Sequence, residues 1–149
     1  MSPTITSPHT APPEPSLAGR RDRRGTPPAD ALPAHLLAPV GEGIAGCPAL
    51  WEPLLDEARR GPVALVATEG YDVWLEVHPT GTTVRPRRPG TTHAVAVAAG
   101  VLRVRAADTA PEAAAEVVVA PGEAVALTTA DDLVVTAEEG GAVAVHVFS

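Results

Sequence analysis

Four sets of side chains in this 149-residue chain are of types that perform chemistry. His78, His93 and His146 stand in β-branched, strand-like surroundings, and neutral imidazoles ligate transition metals and carry protons near neutral pH. His146 is the candidate catalytic residue, and His93 with His146 is the candidate metal pair. The plainer reading makes these two hydrogen-bonded histidines at the barrel mouth. Arg85, Arg87 and Arg88 cluster in VRPRRPG at 84–90. Guanidinium groups grip carboxylate or phosphate through paired hydrogen bonds, so this loop is a candidate anion site. Its bland alternative is a solvated, proline-stiffened loop paired with surface acids. Asp72 and Glu76 could act as general bases only beside a nucleophile, and none is evident. Cys47 is the single cysteine, which excludes an intramolecular disulfide and a four-cysteine zinc site.

These residues must be positioned by strands. Apolar β-branched runs occur at 63–68, 71–78, 93–99, 101–106, 116–119, 124–129, 132–137 and 142–148, separated by Glu69-Gly70, Pro79-Thr80-Gly81, Pro121-Gly122 and Gly140-Gly141. Short strands at this spacing, without helices between them, predict an all-β sandwich or barrel. Valine alternates with alanine in many of them, which predicts close approach of sheets or a narrow interior. In YDVWLEVH, His78 shares a face with Asp72, Trp74 and Glu76, opposite Val73, Leu75 and Val77. The apolar face is expected to turn inward and His78 outward.

Leu50, Trp51, Leu54, Leu55 and Ala58 recur at helical spacing, with Pro48 at the start and Gly61-Pro62 at the end, so a short amphipathic helix is predicted over 49–60. His35, Leu36 and Leu37 before it suggest no more than a short turn. Both tryptophans, Trp51 and Trp74, are expected to pack rather than to bind. Residues 1–30 hold Pro3, Pro8, Pro12, Pro13, Pro15, Pro27 and Pro28 with few large apolar side chains; such a segment buries too little to offset its ordering entropy, and disorder is expected. The domain is therefore 31–149, with the barrel over 62–149. The chain's net charge of −7 comes from that domain, since residues 1–30 are about neutral; an acidic body repels phosphate backbones and argues against a nucleic-acid partner. No apolar run has the length of a membrane span or the shape of a signal peptide, so a soluble cytoplasmic protein is the expectation.

Three stretches carry a resemblance. LWEPLLDEARRG (50–61), YDVWLEVHPTG (71–81) and VAVHVFS (143–149) resemble the leading helix, a strand and the closing strand of the cysteine dioxygenase family, within the cupin superfamily. The resemblance implies a cupin jelly roll with a short N-terminal helix, and Gly81 to Gly100 matches the spacing of the general cupin motif G-x5-H-x-H-x3-E-x6-G. The family's iron ligands are missing. Counted from Gly81, the motif's histidines fall on Arg87 and Pro89; counted back from Gly100 with the family's longer loop, they fall on Pro86 and Arg88. The second motif, H-x3-N, falls on Leu133 and Ala137. The closing-strand trio of Ser, His and Tyr reads Ala144, His146 and Phe148, and the substrate-binding arginine falls near Ala64 or Leu65. His93 stands where general cupins carry their glutamate ligand.

Arginine has no lone pair to give a cation, and proline and leucine offer no donor. No cofactor is expected on this basis, and the leading expectation is a non-catalytic cupin that binds a small carboxylate or phosphate at Arg85, Arg87, Arg88, His93 and Phe148, or that serves as a regulatory partner. The alternative retains thiol dioxygenation with Fe2+ held by His93 and His146. A third reading pairs two barrels as a homodimer through exposed edge strands.

Overall fold

The computed structural model describes residues 32–84, 92–106, 116–127 and 133–149. The expected N-terminal tail and the Arg85, Arg87 and Arg88 loop lie outside the described residues.

The longest helix, α1 (Ala34–Ala45), covers a segment for which only a turn was expected. Pro39, Gly41 and Gly43 are poor helix formers, and packing overrides them: Leu37, Gly41 and Ala45, four residues apart, form the buried stripe. Gly41 faces the sheet closely enough that a Cβ there would lie 3.1 Å from Ala96 Cβ and 3.4 Å from Val147 Cγ2. The helix expected over 49–60 is present as three short pieces, α2 (Pro48–Trp51), a 3-10 turn (Glu52–Leu54) and α3 (Leu55–Ala58). Pro53, which lacks the N–H a continuous helix needs, sits in the 3-10 turn. Trp51 is buried, and its Nε1–H donates to the Ala45 carbonyl at 3.0 Å, tying α2 to the end of α1. Leu37 is fully buried at this junction, so Leu37→Ala is expected to destabilise the fold by ~3 kcal/mol. Urea denaturation checks this; a loss below ~1 kcal/mol would mean that α1 is not part of the core.

Among the described residues seven antiparallel strands follow: β1 (Val63–Ala67), β2 (Asp72–His78), β3 (Thr83–Val84), β4 (His93–Ala106), β5 (Val117–Val119), β6 (Ala124–Leu127) and β7 (Leu133–Phe148). Two pairs of runs expected as separate strands are single long strands, because Gly100 and the Gly140-Gly141 pair bend the chain without ending it. Ala142–Phe148 of β7 pairs with β2 and with the first half of β4; Leu133–Ala137 pairs with the second half of β4, and Val135 and Thr136 with β3. β6 joins the first half of β4, and β5 the second. The two long strands thus belong to both halves of a jelly roll. Thr83–Val84 was not anticipated as a strand, being only two residues long.

Gly100 and Gly141 are the corners. Both have positive φ, 77° and 74°, and a Cβ on Gly100 would overlap the Gly141 carbonyl oxygen. Gly100→Ala is expected to cost ~1–2 kcal/mol from its left-handed backbone, with the backbone overlap adding to it. A drop of less than ~1 kcal/mol in denaturant unfolding would contradict this packing.

Two buried layers result. Outside the sheet, Leu37, Ala45, Trp51 and Ala58 pack on Val73, Leu75, Ala94, Ala96, Val145 and Val147. Inside, Val95, Val97, Leu102, Val104, Val119, Val135, Ala137, Ala142 and Ala144 form the barrel core. Among the described residues no helix is long and apolar enough to cross a membrane.

Candidate metal centre

The outer apolar layer reverses the expected orientation of β2. Val73 and Leu75 face the helices, so the alternating face with Trp74, Glu76 and His78 turns into the barrel. His78 is 1% exposed, not outward as expected. The alternation was sound; the missing information was that helices cover the apolar face.

Register then brings the polar residues together. On β7, His146 lies opposite Trp74, Ala144 opposite Glu76 and Ala142 opposite His78; on its other side, Phe148 lies opposite His93 of β4. Ala142 and Ala144 are small and leave room for the longer side chains across from them. His146 is at the centre. Its Nε2 lies 3.2 Å from His78 Nε2 and 3.3 Å from Glu76 Oε2, and its Nδ1 lies 3.0 Å from His93 Nε2. His78 Nε2 and Glu76 Oε2 are 3.7 Å apart. The His93 ring stacks on Phe148, with centroids 4.2 Å apart and planes 8° from parallel.

Burial sets the protonation of the group. It pushes His78 and His93 down to about 4. His146 lies well below its ordinary value, first through burial and then through the neighbouring His93 and His78. The three imidazoles are therefore neutral near pH 7 and have lone pairs to give. Burial also raises the Glu76 carboxyl. Among the described residues, the chargeable groups that meet this carboxylate are His78 and His146. A partly buried carboxylate is stabilised when a positive charge joins it.

Glu76, His78 and His146 are also the one group of three metal-donor residues that converge among the described residues, with ligand atoms all within 4.8 Å of one another. A triangle with edges of 3.2, 3.3 and 3.7 Å has its centre about 2 Å from each corner, which is the bond length of zinc to imidazole nitrogen and carboxylate oxygen. The donor set fits a divalent transition-metal ion. His93 is not part of the triangle, since it meets the opposite nitrogen of His146. The anticipated ligand pair His93 and His146 is thus brought together, but as neighbours in a hydrogen-bonded relay. Phe148 is placed beside His93, with the two rings stacked. The donors missing at positions 86–89, 133 and 137 leave this second set untouched. Glu76 and His78 were considered from the sequence and set aside, His78 as outward-facing and Glu76 for want of a nucleophile beside it. The available signal was two donors at i and i+2 on one strand, with a histidine in a strand able to pair with it.

No protein-family model matches the sequence, and no curated protein matches it. Solved structures do match in fold. The structure of TT1209 from Thermus thermophilus is 17% identical with a TM-score of 0.51, over 64% of this chain and 92% of that one. A structure of the DMSP lyases RdDddP and RnDddQII is 11% identical with a TM-score of 0.50, over 59% of this chain and 46% of that one. A cupin-2 domain containing protein from Shewanella frigidimarina is 15% identical with a TM-score of 0.47, over 60% of this chain and 79% of that one. At such identities the likeness is one of fold, and it does not single out the cysteine dioxygenase family. What this chain has in common with its structural neighbours is a mostly β, antiparallel fold, here with a helix leading into it.

Proposed function

We propose that this chain is a metal-binding cupin-fold protein that holds one divalent transition-metal ion on Glu76, His78 and His146. The observation that carries the reading is the convergence of three donors from two strands, two buried histidines and a partly buried carboxylate, at spacings that fit one ion. Neutral histidines, and a carboxylate that meets no cation among the described residues, supply the electrostatic complement. Two histidines with one carboxylate suit zinc and also ferrous iron, the donor set of non-haem oxygenases. Such an ion supplies Lewis-acid or oxygen-activating chemistry. The chain's own part is to hold the donors together in the barrel and to keep the imidazoles unprotonated.

The resemblance to cysteine dioxygenases makes thiol oxidation the activity to assay if the ion is iron. The site so proposed differs from the family's, whose ligand positions hold no donors here.

The test is metal titration of chelator-stripped protein with Co2+ and Zn2+, followed by thermal denaturation. About one equivalent bound, with a raised midpoint by mass action, is the expected result. A protein that takes up no ion and shows no midpoint shift overturns the reading.

A second reading is favoured by the nitrogen–nitrogen separations of 3.2 and 3.0 Å, which also suit hydrogen bonds between histidines. In that case the cluster is a metal-free polar plug, and the protein is a non-catalytic binder of a small carboxylate or phosphate, or a partner of a second copy. Thermal shifts with small anions but not with metals select it.

A further inference from the structure

We propose that His93 is the positioning residue of this centre: its Nε2 accepts a hydrogen bond from His146 Nδ1–H, which locks His146 in the one tautomer whose Nε2 can face an ion. The inference rests on the metal reading of Glu76, His78 and His146.

A neutral imidazole carries one proton on two nitrogens. Both nitrogens of His146 are engaged, Nε2 towards Glu76 and His78, and Nδ1 towards His93 at 3.0 Å. If Nε2 gives its lone pair to an ion, the proton must sit on Nδ1, and the group facing it must accept. His93 Nε2 is that group, so His93 must carry its own proton on Nδ1. In the metal-free protein the reverse order is available: His146 Nε2–H donates to Glu76, and His93 Nε2–H donates to His146 Nδ1. Ion binding therefore selects one of two proton orders along the same row of atoms.

His93 is held for this role. It is 8% exposed, faces Phe148 across the β4–β7 ladder, and stacks flat on the Phe148 ring. Just beyond, Thr92 N–H donates to the Ser149 carbonyl at 2.8 Å and Ser149 N–H to the Thr92 carbonyl at 3.0 Å, closing the ladder. The hydroxyl of Ser149 donates to the Leu32 carbonyl at 2.8 Å, anchoring that end to the chain that leads into α1. A partner on the far nitrogen of a ligating histidine fixes the ring and raises its basicity, and loss of such a partner costs about 10- to 100-fold in metal affinity.

The experiment compares wild-type protein with His93→Phe and His93→Gln by Co2+ and Zn2+ titration and by NMR of the histidine ring nitrogens. His93→Phe keeps a ring against Phe148 but cannot accept a proton, and about 10- to 100-fold weaker binding is expected. His93→Gln offers an amide oxygen at similar reach, and recovery of most of that loss is expected. In the ion-loaded wild type the His146 Nδ1–H signal should be present and protected from exchange; in His93→Phe it should lose that protection. A folding defect alone would alter the metal-free midpoint of both variants and would not be relieved by glutamine. If wild-type protein binds ions and His93→Phe binds them equally well, the inference is overturned and the metal reading stands. Binding abolished in both variants makes His93 a ligand, which also overturns it. A wild type that binds no ion removes the metal reading and this inference with it.

Discussion

Replacement of His146 by alanine is expected to abolish ion uptake at micromolar concentrations. His146 supplies one of three donors, and among the described residues it is the only one in contact with each of Glu76, His78 and His93. Structural zinc sites bind with roughly 10–16 kcal/mol spread over their ligands, so one donor is worth about 4 kcal/mol, or roughly a thousandfold in affinity. Two consequences separate this from general damage. The thermal midpoint of His146→Ala should no longer respond to Zn2+, and Glu76→Gln and His78→Gln should each lose the same response. The metal-free variant should also be less stable than metal-free wild type, because the Glu76 carboxylate and His93 each lose a buried partner. A Zn2+-dependent midpoint shift that survives in His146→Ala would place the ion elsewhere and remove the basis for the site.

Acid should unfold the metal-free protein early. His78 and His93 are held near 4 in the fold and return to about 6.5 when the chain unfolds. Between those values the unfolded chain binds more protons than the native one, so stability rises with pH across this window and is fully present above about 6.5. As pH falls towards 4 it is lost, by up to ~3 kcal/mol for each of the two histidines. His146, also lowered, acts in the same direction. Glu76 acts oppositely: its raised carboxyl costs stability at neutral pH and relieves part of the loss when it protonates. Urea denaturation of chelator-treated protein at about pH 7 and about pH 4.5, either side of most of that window, should show the fall, and His78→Gln should flatten it. A free energy that stays level over that range, or a slope that His78→Gln leaves unchanged, would show that these imidazoles are not buried as neutral groups.

Most strands were legible because alternation is local: a run such as VALVA or DVWLEVH declares an extended chain whatever lies around it. The glycines were legible as corners but not as the kind of corner. Whether Gly100 ends a strand or bends it depends on the Gly141 backbone packed against it, and that contact is far away in sequence. Helix α1 was hidden for a related reason. Its proline and glycines argue against a helix, and the burial of Leu37 and Ala45 that outweighs them exists only once the sheet is present.

For the candidate site, His93 and His146 could be picked out by residue type and by likeness to a known closing strand, whereas His78 was discounted by a sound rule applied to the wrong face and Glu76 because no nucleophile stood beside it. The amino-acid sequence by itself determined the strand periods, the all-β class, the missing donors at 86–89 and the identity of every ionisable group. Only the tertiary structure decided which side of β2 is the interior, because periodicity separates two faces without naming them. With helices on the valine side, three imidazoles and a carboxylate share the barrel, and their chemistry follows from that enclosure.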